Sequence, residues 1–127
     1  MGKGLATAVV AAGLAIAMAA PAGAQTVVDG SAAGLNPALV KSIETLVTRD
    51  FRSPAEALFK NLRHSRARNG YGYCGEVAVN AKASFVPFHA IVEPGGQPSL
   101  LLPSDHGRSV EDKETAMRLL TNFGCVE

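Results

Sequence analysis

Two cysteines, three histidines and a carboxylate set in a strand-like run are the side chains through which this 127-residue chain can do chemistry. Cys74 and Cys125 lie 51 positions apart and form no Cys-x-x-Cys pair. No helix start follows Cys74 to lower its pKa, so a reactive thiolate is not expected there. The expectation is one structural disulfide between them, as exported chains carry. For a loop this long the chain-entropy account gives roughly 4 kcal/mol of stabilisation. That is a large share of the about 5–15 kcal/mol that holds a small domain together.

His64, His89 and His106 stand apart in sequence and form no metal-ligand spacing. Asp105 and His106 with a distant partner are the one arrangement that folding can turn into a ligand set, and Asp105-His106-Gly107 reads more simply as a turn. No metal is expected. Glu76, two residues after Cys74, shares its strand face and has the chemistry of a general base. Without a second carboxylate or nucleophile in register, an enzyme needs Glu76 and a histidine, His89 or His106, brought together by the fold. Ser65, Ser84, Ser99, Ser104 and Ser109 lack a Gly-x-Ser-x-Gly setting. Gly70-x-Gly72 and Gly95-Gly96 do not open helices as a phosphate loop must, so no cofactor is expected.

Lys60, Arg63, His64, Arg66 and Arg68 form the one charge cluster, beside Tyr71 and Tyr73. It suits an anionic polymer or an acidic partner. The plainer reading, and the expectation, is a charged edge strand that resists sheet-to-sheet pairing.

The elements that must position these residues follow from periodicity. Asn36-Pro37 caps a helix whose stripe is Leu39, Val40, Ile43, Leu46, Val47 and Phe51, running to about Asp50. Ser53-Pro54-Ala55-Glu56 has a capping-box pattern, predicting a short helical turn that Leu58, Phe59 and Leu62 can continue. From Leu62 the segment becomes an edge strand, and Asn69-Gly70 marks a turn. Tyr71, Tyr73, Val77, Val79 and Ala81 then alternate as a strand interrupted by Gly72 and Gly75. A second strand spans Ser84 to Glu93, with Pro87 implying an edge position or a bulge. Pro94-Gly95-Gly96 is a turn, and Leu100 to Leu102 a short third strand. Ser109 caps a last helix carrying Ala116, Met117, Leu119, Leu120 and Phe123, stopped by Gly124. The predicted fold is α+β: a small antiparallel sheet of three to four strands packed against an N-terminal and a C-terminal helix, with one disulfide.

Residues 1–24 read as a signal peptide. Lys3 precedes an apolar run from Leu5 to Ala20, shorter than the roughly 20 residues a spanning helix needs, and Ala22-Gly23-Ala24 is a cleavage pattern. Residues 25–35 read as a flexible spacer and 36–127 as a single domain. Cleavage removes Lys3 from 12 basic residues against 11 acidic ones, leaving a neutral chain. Neutrality argues against nucleic acid, and no later segment is suited to stable membrane insertion. With no Trp and two Tyr, a carbohydrate-stacking surface is not expected.

Arg49 to Glu93 resembles a family of small exported bacterial proteins of unknown function. The family pattern runs Asp-Pro-x-Ser-Ala-x-Phe, then Cys-Gly-x-Val-Asn-x-Lys-Asn, then an aromatic strand. The corresponding stretches here are Ser53-Pro54-Ala55-Glu56-Ala57-Leu58-Phe59, with Ser53 in place of the aspartate and Glu56 in place of the serine, Tyr73-Cys74-Gly75-Glu76-Val77 separated by Ala78-Val79 from Asn80-Ala81-Lys82, and Phe85-Val86-Pro87-Phe88. The resemblance implies export and an α+β domain and brings no known activity. The functional expectation is a periplasmic or secreted non-enzymatic module that binds a protein or envelope partner. The alternatives are a small periplasmic enzyme built around Glu76 and a histidine, or a binder of anionic cell-surface polymer through residues 60–68.

Overall fold

The computed structural model describes residues 26–103 and 110–127. The expected signal peptide, the Asp105–His106 pair and the Ser109 cap lie outside them. Asn36 opens the first helix, α1 (Pro37–Thr48): its Oδ1 accepts from the amides of Ala38 (2.8 Å) and Leu39 (3.4 Å), and Pro37 supplies the first turn. The chain then forms a 3-10 turn at Pro54–Glu56 and four strands, β2 (Leu58–His64), β3 (Gly72–Ala78), β4 (Val86–Ile91) and β5 (Ser99–Leu101). They follow β1 (Thr26–Val27), and the second helix, α2 (Val110–Asn122), comes last. The sheet order is β1-β2-β3-β4-β5.

The α+β class and the disulfide are as expected; the sheet is larger and mixed. β1 runs parallel to β2, Thr26 opposite Leu58 and Val27 opposite Phe59, and the other neighbours are antiparallel. A two-residue strand carries no periodicity, so residues 25–35 read as a spacer. Instead residues 26–35 belong to the fold. After β1 they make a 3-10 turn at Ser31–Gly34, and two of their side chains bond β2. Asp29 Oδ2 accepts from the Asn61 amide at 2.9 Å, and Ser31 Oγ from the Leu62 amide at 2.9 Å.

The short helical turn expected here is present at Pro54–Glu56, but Leu58, Phe59 and Leu62, read as able to continue it, lie in a strand. Ser53 makes no side-chain cap, and β2 begins at Leu58. Phe59 and Leu62 have helical spacing because β2 is bulged between Lys60 and Arg63. Lys60 pairs with Glu76 and Arg63 with Cys74, so Asn61 and Leu62 together oppose Gly75. Asn61 takes the left-handed conformation (φ 56°), which asparagine tolerates better than most residues. The extra residue returns Leu62 to the face of Phe59 and sends Arg63 to the other.

One sheet face carries Phe59, Tyr73, Val77, Phe88 and Ala90, packed against Val40, Ile43, Leu46 and Val47 of α1. Phe59 and Phe88 meet edge to face at 5.9 Å. Gly75 lies beneath that pair: a Cβ there would come within 2.8 Å of the Phe88 ring and of Leu62 Cδ2. The opposite face holds Cys74 and Leu101 and packs on Leu120, Phe123, Cys125 and Val126 from α2 and the chain beyond it. Pro87 sits on β4 past the end of β5, which pairs only with His89–Ile91, so no outer strand needs its missing amide hydrogen.

Candidate functional site

Most of the side chains with chemical potential gather where α2 ends against β2 and β3, and most of them hold that end in place. Gly124 takes φ 78°, its amide donates to Thr121 O (3.0 Å), and the Cys125 amide donates to Leu120 O (2.8 Å). This is a Schellman stop, as the glycine predicts. It turns Cys125 back onto the sheet, where it is bonded to Cys74 across a Cα–Cα distance of 5.1 Å. Neither cysteine is free.

Arg63, brought to this face by the bulge, donates from Nη2 to the carbonyls of Gly124 (3.2 Å) and Cys125 (3.0 Å), and from Nη1 to Asn61 O (2.8 Å). A fixed cation at a helix C-terminus meets the negative end of its dipole. The Arg66 amide donates to Phe123 O at 2.9 Å.

His89, on β4 opposite Cys74, is 3% exposed and stacks flat on Phe123 with ring centroids 3.9 Å apart. Its Nε2 is hydrogen-bonded to Ser65 Oγ at 2.9 Å, and that oxygen also accepts from the Ala67 amide at 3.1 Å. Burial pushes the imidazole pKa below its ordinary 6.5, because the charged ring is costly away from water. Gly72 leaves room for this pair, since a Cβ there would lie 2.7 Å from His89 Nε2. Serine and histidine have the chemistry of a nucleophile and its base, but here the ring is sealed under Phe123.

Between the bulge and the end of α2 lies a polar groove of about 650 Å³, whose walls include Asn61, Arg63, Arg66, Glu76, Thr121 and Glu127. Glu76 Oε2 accepts from Asn61 Nδ2. No cation lies within 4 Å of the Glu76 carboxylate, and no carboxylate within 4 Å of the Arg66 guanidinium, among the described residues. His89 does not line this groove, so the fold does not bring Glu76 and His89 into one site.

The basic cluster is divided. Lys60 and Arg63 lie on the face of Glu76 and Cys74, with the Lys60 ammonium 4.4 Å from the Phe85 ring centroid. His64 pairs with Tyr73 on the opposite face, their rings 4.8 Å apart, and Arg68 is exposed in the turn before Gly70. β2 is therefore not a free edge along its length: β1 covers its first two residues, and Asp29 and Ser31 cover the bulge. Hydrogen bonding from the Asn61 amide first, then from the Ser31 side chain and amide, holds the Asp29 carboxyl below its ordinary pKa.

Sequence reasoning singled out neither Asn61 nor Thr121 in this groove, because each acquires its place only from the bulge or the end of α2. A second groove of about 620 Å³, between α1 and the β4–β5 turn, has largely apolar walls that include Leu46, Val92 and Pro98, with Lys41, Arg49 and Glu93 among its lining residues. No group of three or more His, Cys, Asp or Glu placed to hold a metal occurs among the described residues. No helix among them is long and apolar enough to cross a membrane. Comparison with protein-family models, with curated proteins and with solved structures finds no match.

Proposed function

We propose that the chain is an exported, disulfide-stapled binding module whose binding surface is the polar groove between the β2 bulge and the end of α2. One observation carries this reading: the groove is predominantly polar, and its walls include a carboxylate and a guanidinium, Glu76 and Arg66, that make no ion pair among the described residues. Cys74, Cys125, His89, Ser65 and Arg63, by contrast, are engaged in fastening α2 to the sheet. Charges left unpaired in a concave site, here the exposed Arg66 and the half-buried Glu76, are available to a partner. Export is supported by the leader pattern of residues 1–24 and by the resemblance of residues 49–93 to small exported proteins.

The test is a photo-crosslinking residue placed at Thr121, in this groove, or at Thr45, in the second groove, in cells that export the chain. The reading expects a defined adduct from position 121 that is absent from position 45 and is lost on Glu76→Gln or Arg66→Gln. Equal labelling at both positions, or labelling indifferent to both charges, contradicts it. The intact mass of the exported protein checks the leader, and is expected to lack residues 1–24.

A further inference from the structure

We infer that the groove takes a short zwitterionic peptide, its carboxylate on Arg66 and its ammonium on Glu76, on the reading that this groove is the binding surface. A lone anion entering it meets Glu76 and Glu127, and a lone cation meets Arg63 and Arg66. A ligand carrying one charge of each sign, separated by a polar backbone, satisfies both walls. Arg66 offers a guanidinium fork, which matches a carboxylate better than a point charge does. Glu76 keeps lone pairs free, because Oε2 accepts from Asn61 Nδ2 and Oε1 accepts no hydrogen bond from the described residues.

The space between suits a peptide backbone. Arg63 is pinned by three carbonyls through Nη1 and Nη2 and keeps its Nε–H to donate. The Thr121 hydroxyl donates to Met117 O (2.9 Å) and still has lone pairs to accept an amide hydrogen. The volume, about 650 Å³, lies within the about 300–1,000 Å³ of small-molecule sites. The Cys74–Cys125 bond fixes the wall formed by the end of α2, so the ligand meets a site that does not have to be ordered first.

The test is an amide NMR titration of the purified protein with tri-alanine, its N-acetylated form, its C-amidated form and the doubly blocked peptide. Tri-alanine is expected to shift the Asn61, Glu76 and Thr121 amides, and each single block to weaken binding roughly three- to five-fold, as exposed ion pairs do. In Arg66→Gln, amidation should cease to matter; in Glu76→Gln, acetylation should cease to matter. Both variants should keep the parent unfolding midpoint. Equal binding of all four peptides, shifts confined to other surfaces, or no shift at millimolar peptide each overturn the peptide assignment. A charge-dependent adduct at position 121 that persists after such a failure leaves the module reading standing, whereas loss of both results removes both.

Discussion

The two faces of the sheet are held to their helices by different physics. α1 presents Val40, Ile43, Leu46 and Val47 to Phe59, Tyr73, Val77 and Phe88, a continuous apolar seam that needs no fastening. α2 buries Ala116 and Leu120, while Met117 and Leu119 are each 40% exposed. On that side a disulfide, a buried histidine stack and an arginine on the helix end supply what the apolar stripe lacks. A fold that stapled α2 by packing alone would have no call for reactive residue types there. Cysteine, histidine and arginine gathered at one point are here attachments first, and the groove is the space their attachment encloses.

Breaking the apolar side should cost most. Phe88→Ala removes the ring lying over Gly75 and against Phe59, and is expected to lose about 3–5 kcal/mol in urea unfolding, with all structural probes moving together. Removing the staple by Cys74→Ser with Cys125→Ser should lose up to roughly 4 kcal/mol, and should be felt first in α2. Coincident transitions of probes on α1 and α2 in that variant would erase the contrast between the faces.

A smaller effect should follow pH. The unfolded chain protonates His89 near the ordinary 6.5, whereas the buried ring does so only at lower pH, so the unfolded state binds more protons in between. The histidine's contribution is therefore whole above about pH 6.5 and is lost as pH falls through the folded value. The unfolding midpoint should drop on acidification through this window, and His89→Gln should remove that component of the slope. The smallest change is expected on the far side of β2. Asp29→Ala frees the Asn61 amide, and should speed its hydrogen exchange without altering protection in α2.

The apolar side was the legible one. The α1 stripe with its Asn36-Pro37 cap, a strand through Tyr73 and Val77, and the stops at Gly95 and Gly124 follow from local chemistry, and the structure has them. β3, though, ends at Ala78, before Val79 and Ala81, and is buried along most of its length. The bulge was not legible. One added residue at Asn61 breaks the period of two, gives Phe59 and Leu62 a helical interval, and disguises β2. The same residue decides that Arg63 faces α2, so the groove was hidden for the same reason. β1 was hidden by its brevity, and its role appears only in the bonds that Asp29 and Ser31 make to the bulge. The cysteine pairing was legible because two cysteines leave one pairing; that it seats the end of α2 beside Glu76 was not.

The central claim is that the disulfide and its polar neighbours hold α2 to the sheet and thereby form the groove. Amide hydrogen exchange on the oxidised and the reduced protein, followed residue by residue, tests it most directly. Reduction is expected to abolish protection across Ala116–Asn122 while Val40–Val47 and the inner strands keep most of theirs. Protection lost evenly from both helices, or retained in α2 after reduction, would contradict the account.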